Sequence, residues 1–305
     1  MQVLTDNDLL KFIGKQESQS LVVFDDYLAE TKKRFEGGKD GYGDELPWER
    51  TNQDIRLRPQ EVSLWAGVNG HGKSLMLSHV MAHLMKSSRV LIASMEMSIP
   101  AQAERMFRQI SGSDKPTEPF IDLMSAWTNG RLWLYDQQDT VPPEKIIGMC
   151  MYAMAELDIS HIVIDSLVKC GIRPDDYAGQ KTFVDKLCFA AKTYGGHIHL
   201  VHHIRKGDKE SNLPDKFDIK GAGEITDLVD NVFIVHRNKV KEEKAQGGEP
   251  VDEFDPDAIL VNAKQRHGEW EGKVPLYFDK ASTQYLQSPR ANKEWFPIEV
   301  QDEVG

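Results

Sequence analysis

Cysteine is scarce in this chain. The three present, Cys150, Cys170 and Cys188, lie too far apart to form the close pairs of a zinc site or a disulfide framework, so neither a structural zinc nor an oxidising compartment is expected. Long apolar runs are missing as well. None approaches the roughly 20 residues that span a bilayer, and the N-terminal MQVLTDNDLLKFIGKQ carries no apolar block of a signal peptide. The expectation is a soluble cytoplasmic protein without a membrane partner. Positive charge is in deficit: 37 Lys and Arg against 48 Asp and Glu leave a net charge of −11. An acidic body repels a polyanion, which excludes coating of nucleic acid by the whole surface and confines any such contact to a local patch. Core material is not lacking, since 40% of the 305 residues are hydrophobic, enough for a sizeable core.

From Glu61 onward, short apolar runs alternate with helical segments. The runs are EVSLWAG, RVLIASM, RLWLYD, HIVIDSL, HIHLVHH and NVFIVHR. Helices are predicted after Lys73, through AQAERMFRQI, from Pro143 to about Leu157 and around KTFVDKLCFAAKTY. This order predicts an α/β fold with a mainly parallel sheet covered on both faces, and DAILVNAKQRHGEWEGKVPLYFD adds a terminal β-hairpin. Upstream, Leu21, Phe24, Leu28 and Phe35 recur at helical spacing and predict an amphipathic helix over 20–35. The following EGGKDGYGDELPWERTNQDIRLRPQ, rich in Gly, Asp and Pro, reads as a long loop. Three units result: residues 1–60 as helix and loop, 61–288 as the α/β domain, and 289–305 as an acidic tail with Trp295 and Phe296 near its start.

Ligands of such sheets bind where the strands end at their carboxyl side. The first run ends in GVNGHGKS, in which Gly67, Asn69, Gly70, His71, Gly72, Lys73 and Ser74 fit the G-x-x-x-x-G-K-[ST] pattern of a phosphate-wrapping loop. Lys73 is expected to reach the outer phosphates and Ser74 to bind Mg²⁺, with the next helix aiming its positive end at the anion. Glu96, after LIASM, is a candidate general base for an attacking water or, more plainly, a favourable charge at a helix start. Asp165, closing HIVID, has the character of a Walker B carboxylate that holds Mg²⁺, with a helix cap as the plain alternative. His202 and His203 close HIHLVHH. Alternation puts His197, His199 and His203 on one face, which admits a metal site, a phosphate contact or plain core histidines. Lys264 and Arg266 in AKQR would on composition be an exposed basic edge. Arg205, Lys206, Lys209, Lys216 and Lys220, within residues 202–221, form one candidate basic patch, either a solvated loop or a nucleic-acid contact.

The ordered set NGHGKS, SMEMS, VIDSL, HHIRK, GAGEITDLVDNVFIVHRNK and AKQRHGEWEG resembles the ATPase domain of DnaB-type replicative helicases, especially the helicase halves of phage primase-helicases and Twinkle, over about residues 58 to 288. The resemblance implies a RecA-like P-loop core that takes ATP or another NTP with Mg²⁺. Lys73 and Ser74 match the phosphate and Mg²⁺ ligands, Glu96 the catalytic base, Asp165 the Walker B carboxylate and His203 the sensor of the terminal phosphate. Arg266 matches an arginine finger inserted into a neighbouring subunit's site, with Lys264 beside it. The patch from Arg205 to Lys220 would grip single-stranded DNA in the channel of a hexamer, with GIRPDDYAGQK as a second channel loop. The helix over 20–35 resembles the linker that clasps a neighbour. Primase, polymerase or a single-strand-binding protein are the implied partners, the acidic tail being either a docking segment or a packed end. About 60 residues ahead of the core cannot contain the primase or collar usual in the family, which suggests a phage or plasmid replication system. A recombination ATPase that forms filaments, and an ATPase switch or loader that does not unwind DNA, are the other readings.

Overall fold

The computed structural model describes residues 25, 28–36, 42–204, 213–214, 218–219 and 222–298. Nine strands form one sheet: β1 (Val62–Gly67), β2 (Val90–Ser94), β3 (Leu132–Leu134), β4 (His161–Asp165), β5 (His197–His203), β6 (Asn231–Arg237), β7 (Ala258–Gln265), β8 (Gly272–Phe278) and β9 (Tyr285–Leu286). Their order is β3-β2-β4-β5-β1-β6-β7-β8-β9. The pairs from β3 to β6 are parallel, and those from β6 to β9 are antiparallel. The predicted mainly parallel sheet and terminal hairpin are therefore present, the hairpin being extended by β9.

The helices are α1 (Leu28–Glu36), α2 (Lys73–Leu84), α3 (Ile99–Ser111), α4 (Glu118–Thr128), α5 (Pro143–Glu156), α6 (Tyr177–Tyr194), α7 (Ala222–Leu228) and α8 (Lys239–Gln246). Strand side chains alternate between two cores. Leu64, Leu91, Ile162, Leu200 and Ile234 enter one with α5 and α6. Trp65, Ile92, Val163, Val201 and Phe233 enter the other with α2, α3 and α4. Burial on both faces is why these strands read as continuous apolar runs rather than alternating ones. Among the described residues, no helix is long and apolar enough to cross a membrane.

Several expectations need correction. The long loop ahead of the core is largely packed: Leu46, Trp48, Ile55 and Leu57 are fully buried, Asp44 and Leu57 exchange backbone hydrogen bonds, and Trp48 Nε1 donates to the Tyr285 carbonyl at 2.6 Å. The packed unit thus begins well before Glu61. These four apolar side chains fall at irregular intervals among Gly, Asp and Pro, so no periodic pattern announced them. The expected second channel loop is shortened, because Asp176 accepts from the Gly179 N–H and caps α6 there, turning Tyr177–Lys181 into helix. The start of the tail follows the packed alternative and needs no correction: Phe296 is buried, and Glu294 accepts from His79, His83 and Lys86 on or just beyond α2. Trp295 is exposed. Of the predicted N-terminal helix, Leu28–Glu36 is helical and most of the remainder lies outside the described residues.

Candidate nucleotide site

The site is built from the carboxyl ends of the parallel strands. β1 ends at Gly67, where a side chain would bring a Cβ within 2.6 Å of the Val235 carbonyl oxygen on β6. The chain then turns through Gly70 and Gly72, both with positive φ, a conformation that costs glycine little. A Cβ at Gly72 would also lie 2.5 Å from the Tyr285 hydroxyl. α2 starts directly after this turn, so its free N–H groups face the loop. Lys73 is folded back, its Nζ donating to the Gly67 and Val68 carbonyls at 2.9 and 3.1 Å. Burial pulls its pKa down to about 8, opposed by Asp165 and Glu96. The ammonium is thus held in a dry loop by weak neutral partners, ready for an anion.

Asn69, Gly70, Gly72, Lys73, Ser74, Glu96, Asp165 and His203 line one cavity of about 920 Å³. Gly67, at the end of β1, is buried and does not line it. His71 is not brought to it. That imidazole is fully buried behind the loop, where Nδ1 accepts from the Arg237 N–H at 3.2 Å and the ring packs edge-on to His236. The same cavity carries the acids. Asp165 ends β4, is 6% exposed and accepts from the Ser74 hydroxyl. Burial and the like charge of Glu96 raise its pKa, against Ser74, Lys73 and Arg105. A buried carboxylate and a hydroxyl in contact are hard oxygen donors and fit Mg²⁺. Glu96 stands two residues beyond β2, exposed to the cavity, and accepts from Ser166 Oγ at 3.1 Å.

Sequence reading missed two parts of this site. Arg105, on α3, lines the cavity; its Nη1 is buried without a hydrogen-bond partner, and burial lowers its pKa against the attraction of Asp165 and Tyr285. An unmatched guanidinium donor beside a phosphate loop fits an anionic oxygen. The readable signal was the spacing of Gln102, Arg105 and Gln109, three long polar residues along one helical stripe. The second is an adjoining hollow of about 430 Å³ that shares Gly72 and Leu75 and is lined by Arg237, Lys241, Phe278 and Tyr285 among others. It joins residues from β6, α8, β8 and β9, which no local pattern connects.

Lys264 and Arg266 lie elsewhere. β7 is antiparallel to β6, with Gln265 opposite Asn231, so both basic residues sit at or near the amino edge of the parallel strands, about 20 Å along β6 from the phosphate loop. Arg266 Nη2 donates to the Asp227 and Leu228 carbonyls at 2.9 and 3.1 Å, and Nη1 pairs with buried Asp230 at 3.1 Å. Lys264 Nζ donates to the Thr226 and Val229 carbonyls at 2.6 and 2.7 Å. Both therefore satisfy carbonyls at the end of α7. Arg205, Lys206, Lys209, Lys216 and Lys220 lie outside the described residues.

The considered metal site on β5 does not form. His197 bonds Ser63 Oγ and the Arg58 carbonyl, and His199 contacts His161 and accepts from Trp65 Nε1, so both are core histidines far along the strand from His203. Among the described residues, no group of three His, Cys, Asp or Glu is placed to hold a metal ion. All three cysteines are free and buried.

Strand order, glycine loop, buried acid and cavity-lining glutamate together define a P-loop NTPase domain of the RecA-like type. A model of the AAA domain family matches residues 45–209, more than half of the chain, and the chain belongs to that family. A solved ATPase domain superposes with TM-score 0.72 at 13% identity, covering 87% of this chain and 98% of that one. A DnaB-like replicative helicase, solved with its interactions with primase, superposes with TM-score 0.66 at 15% identity, covering 91% and 70%. The Twinkle homolog protein of Arabidopsis thaliana, chloroplastic and mitochondrial, is 19% identical over 276 residues, which is 81% of this chain and 37% of that protein. The chain thus spans little more than a third of that relative. The resemblance to DnaB-type ATPase domains holds at the level of the fold.

Proposed function

We propose that this chain is the motor of a ring-shaped DNA helicase that hydrolyses ATP and moves on single-stranded DNA. The observation that carries the reading is the division of the predicted machinery between two ends of one sheet. The phosphate loop, Asp165, Glu96 and His203 share a cavity, whereas Arg266 stands at the opposite edge, too far to serve its own chain's nucleotide. A finger in that position is useful only to a neighbour, and a ring supplies one.

Lys73 leaves the Gly67 and Val68 carbonyls for the outer phosphates, Arg105 gives its unmatched Nη1 to a phosphate oxygen, and the base takes the hollow beside Phe278 and Tyr285. Ser74 and Asp165 would hold Mg²⁺, which when bound neutralises charge on the phosphates. Glu96 orients the attacking water, and His203 faces the terminal phosphate next to the basic patch that begins at Arg205. Arg266 of an adjacent copy stabilises the transferring phosphoryl group. α1, whose Phe35 is 82% exposed, clasps that copy. A ring of about six repeats the basic patch into a positive funnel, so an acidic subunit can still hold a polyanion.

The test is ATP hydrolysis against protein concentration, with and without single-stranded DNA, at two salt concentrations. The expected result is a steep concentration dependence and a DNA stimulation that fades at higher salt. A rate per chain indifferent to both would favour an ATPase switch that acts alone, and filaments in place of rings would favour a recombination ATPase.

A further inference from the structure

Glu96 and His203 belong to different strand ends, yet one hydroxyl touches both. Ser166 is fully buried, with Oγ 3.1 Å from Glu96 Oε1 and 3.5 Å from His203 Nε2. It follows β4, which lies between β2 and β5, the strands that lead to Glu96 and to His203. No other strand stands between those two.

The direction of the contacts follows from donor chemistry. A carboxylate only accepts, so the single Ser166 proton is given to Glu96. The Ser166 oxygen is left with lone pairs, and His203 joins as a donor with its proton on Nε2. The three groups therefore form a one-way chain, from imidazole to hydroxyl to carboxylate, with Glu96 and His203 lining the cavity and Ser166 buried between them.

We propose that Ser166 is a positioning residue that couples the aim of Glu96 to the tautomer and orientation of His203. The hydroxyl restricts the Glu96 carboxylate, which otherwise stands exposed, and His203 fixes the rotor of the hydroxyl. The imidazole that faces the terminal phosphate and the carboxylate that faces the water are then set together. The inference rests on the reading of Glu96 as the residue that orients the water.

The test uses the full chain with Ser166→Ala and Ser166→Cys, the second filling the space of the hydroxyl with a weak donor. Both should lower kcat roughly 10-fold while leaving KM for ATP within about twofold, since misorientation acts on the chemical step. In a Glu96→Gln background, Ser166→Ala should cost nothing more, because the residue acts through Glu96. Long-range proton–nitrogen spectra of histidine-labelled protein, with the His203 signal assigned from His203→Asn, should show the Nε2–H tautomer, and Ser166→Ala should shift that signal. An Nδ1–H tautomer in the unaltered protein would overturn the proposal. So would full activity of Ser166→Ala in a protein that Glu96→Gln disables. Full activity of Glu96→Gln would remove the site reading itself, and the tautomer would still decide the direction of the chain.

Discussion

The two ends of the parallel sheet use polar residues in opposite ways. At the carboxyl end, charges face an open cavity with partners missing or weak: Lys73 on two carbonyls, Asp165 on one hydroxyl, Arg105 with an idle nitrogen. At the amino end, comparable groups are sealed and knitted together. Asp44 bonds His161, which meets His199, which accepts from Trp65. His197 meets Ser63, Asn231 links Ser63 to Glu61, and Asp230 holds both the Val62 N–H and Arg266. A polar group without a partner is expensive when buried. The carboxyl end carries that cost where a ligand would relieve it, and the amino end reduces it by pairing, although Glu61 Oε1 and Asn231 Oδ1 remain buried there without a hydrogen-bond partner. The ends are therefore distinguished by where an unpartnered group faces, into a cavity at one end and into packed core at the other.

Arg266 is the residue that could break this division, since it belongs to the sealed end by contact and to the open end by proposed role. Arg266→Ala is expected to lower ATP hydrolysis by about 10³ to 10⁵, the range for arginine fingers, with binding unchanged. Mixing it with Lys73→Ala chains should restore some composite sites. A modest loss with no rescue would return Arg266 to a purely capping role. Next in size, Glu96→Gln should cost about 10² to 10⁴ in kcat without weakening nucleotide binding, checked by equilibrium titration. Arg105→Ala should weaken ATP about 10- to 100-fold, as for a lost charged hydrogen bond; unaltered affinity would mean that the idle Nη1 meets no phosphate.

The smallest expected effect lies at the amino end of the sheet. Burial pushes the Glu61 carboxyl up to about 7 from its ordinary 4.5. A raised carboxylate contributes stability below the lower value, and that stability is lost as pH rises through 7. Glu61→Gln should therefore raise the melting temperature at pH 8 by on the order of 2–4 °C and change it little at pH 5. The histidines act in the opposite sense. Burial depresses His197 to about 3 and His199 well below 6.5, so below about pH 6.5 the unfolded chain gains protons that the fold refuses. Melting curves should show stability falling from pH 6.5 downward, and His197→Gln should flatten that limb.

Much of the carboxyl end was legible because its chemistry is local. The glycines, Lys73 and Ser74 are contiguous, and Glu96 and Asp165 each stand just after an apolar run. His71 was misplaced by that same contiguity, since the spacing of a loop does not reveal which side chains turn inward. Arg105 and the hollow beside Phe278 were missed because their relevance depends on which elements meet. The segment around Trp48 looked like a spacer, since its apolar residues pack on β9 and follow no period of their own. The histidines of β5 looked like ligand candidates until Asp44, Ser63 and Trp65 supplied their partners.

Sequence alone determined the parallel α/β core, the phosphate loop and the order of the strand-end acids, because strand periodicity and loop chemistry are properties of neighbouring residues. Tertiary structure decided which of these groups share a cavity, that Ser166 bridges two of them, that Arg105 faces the phosphates' expected place, and that Arg266 stands at the far edge. Those facts depend on strand order and on the antiparallel return of β7, which bring together residues that no spacing along the chain relates.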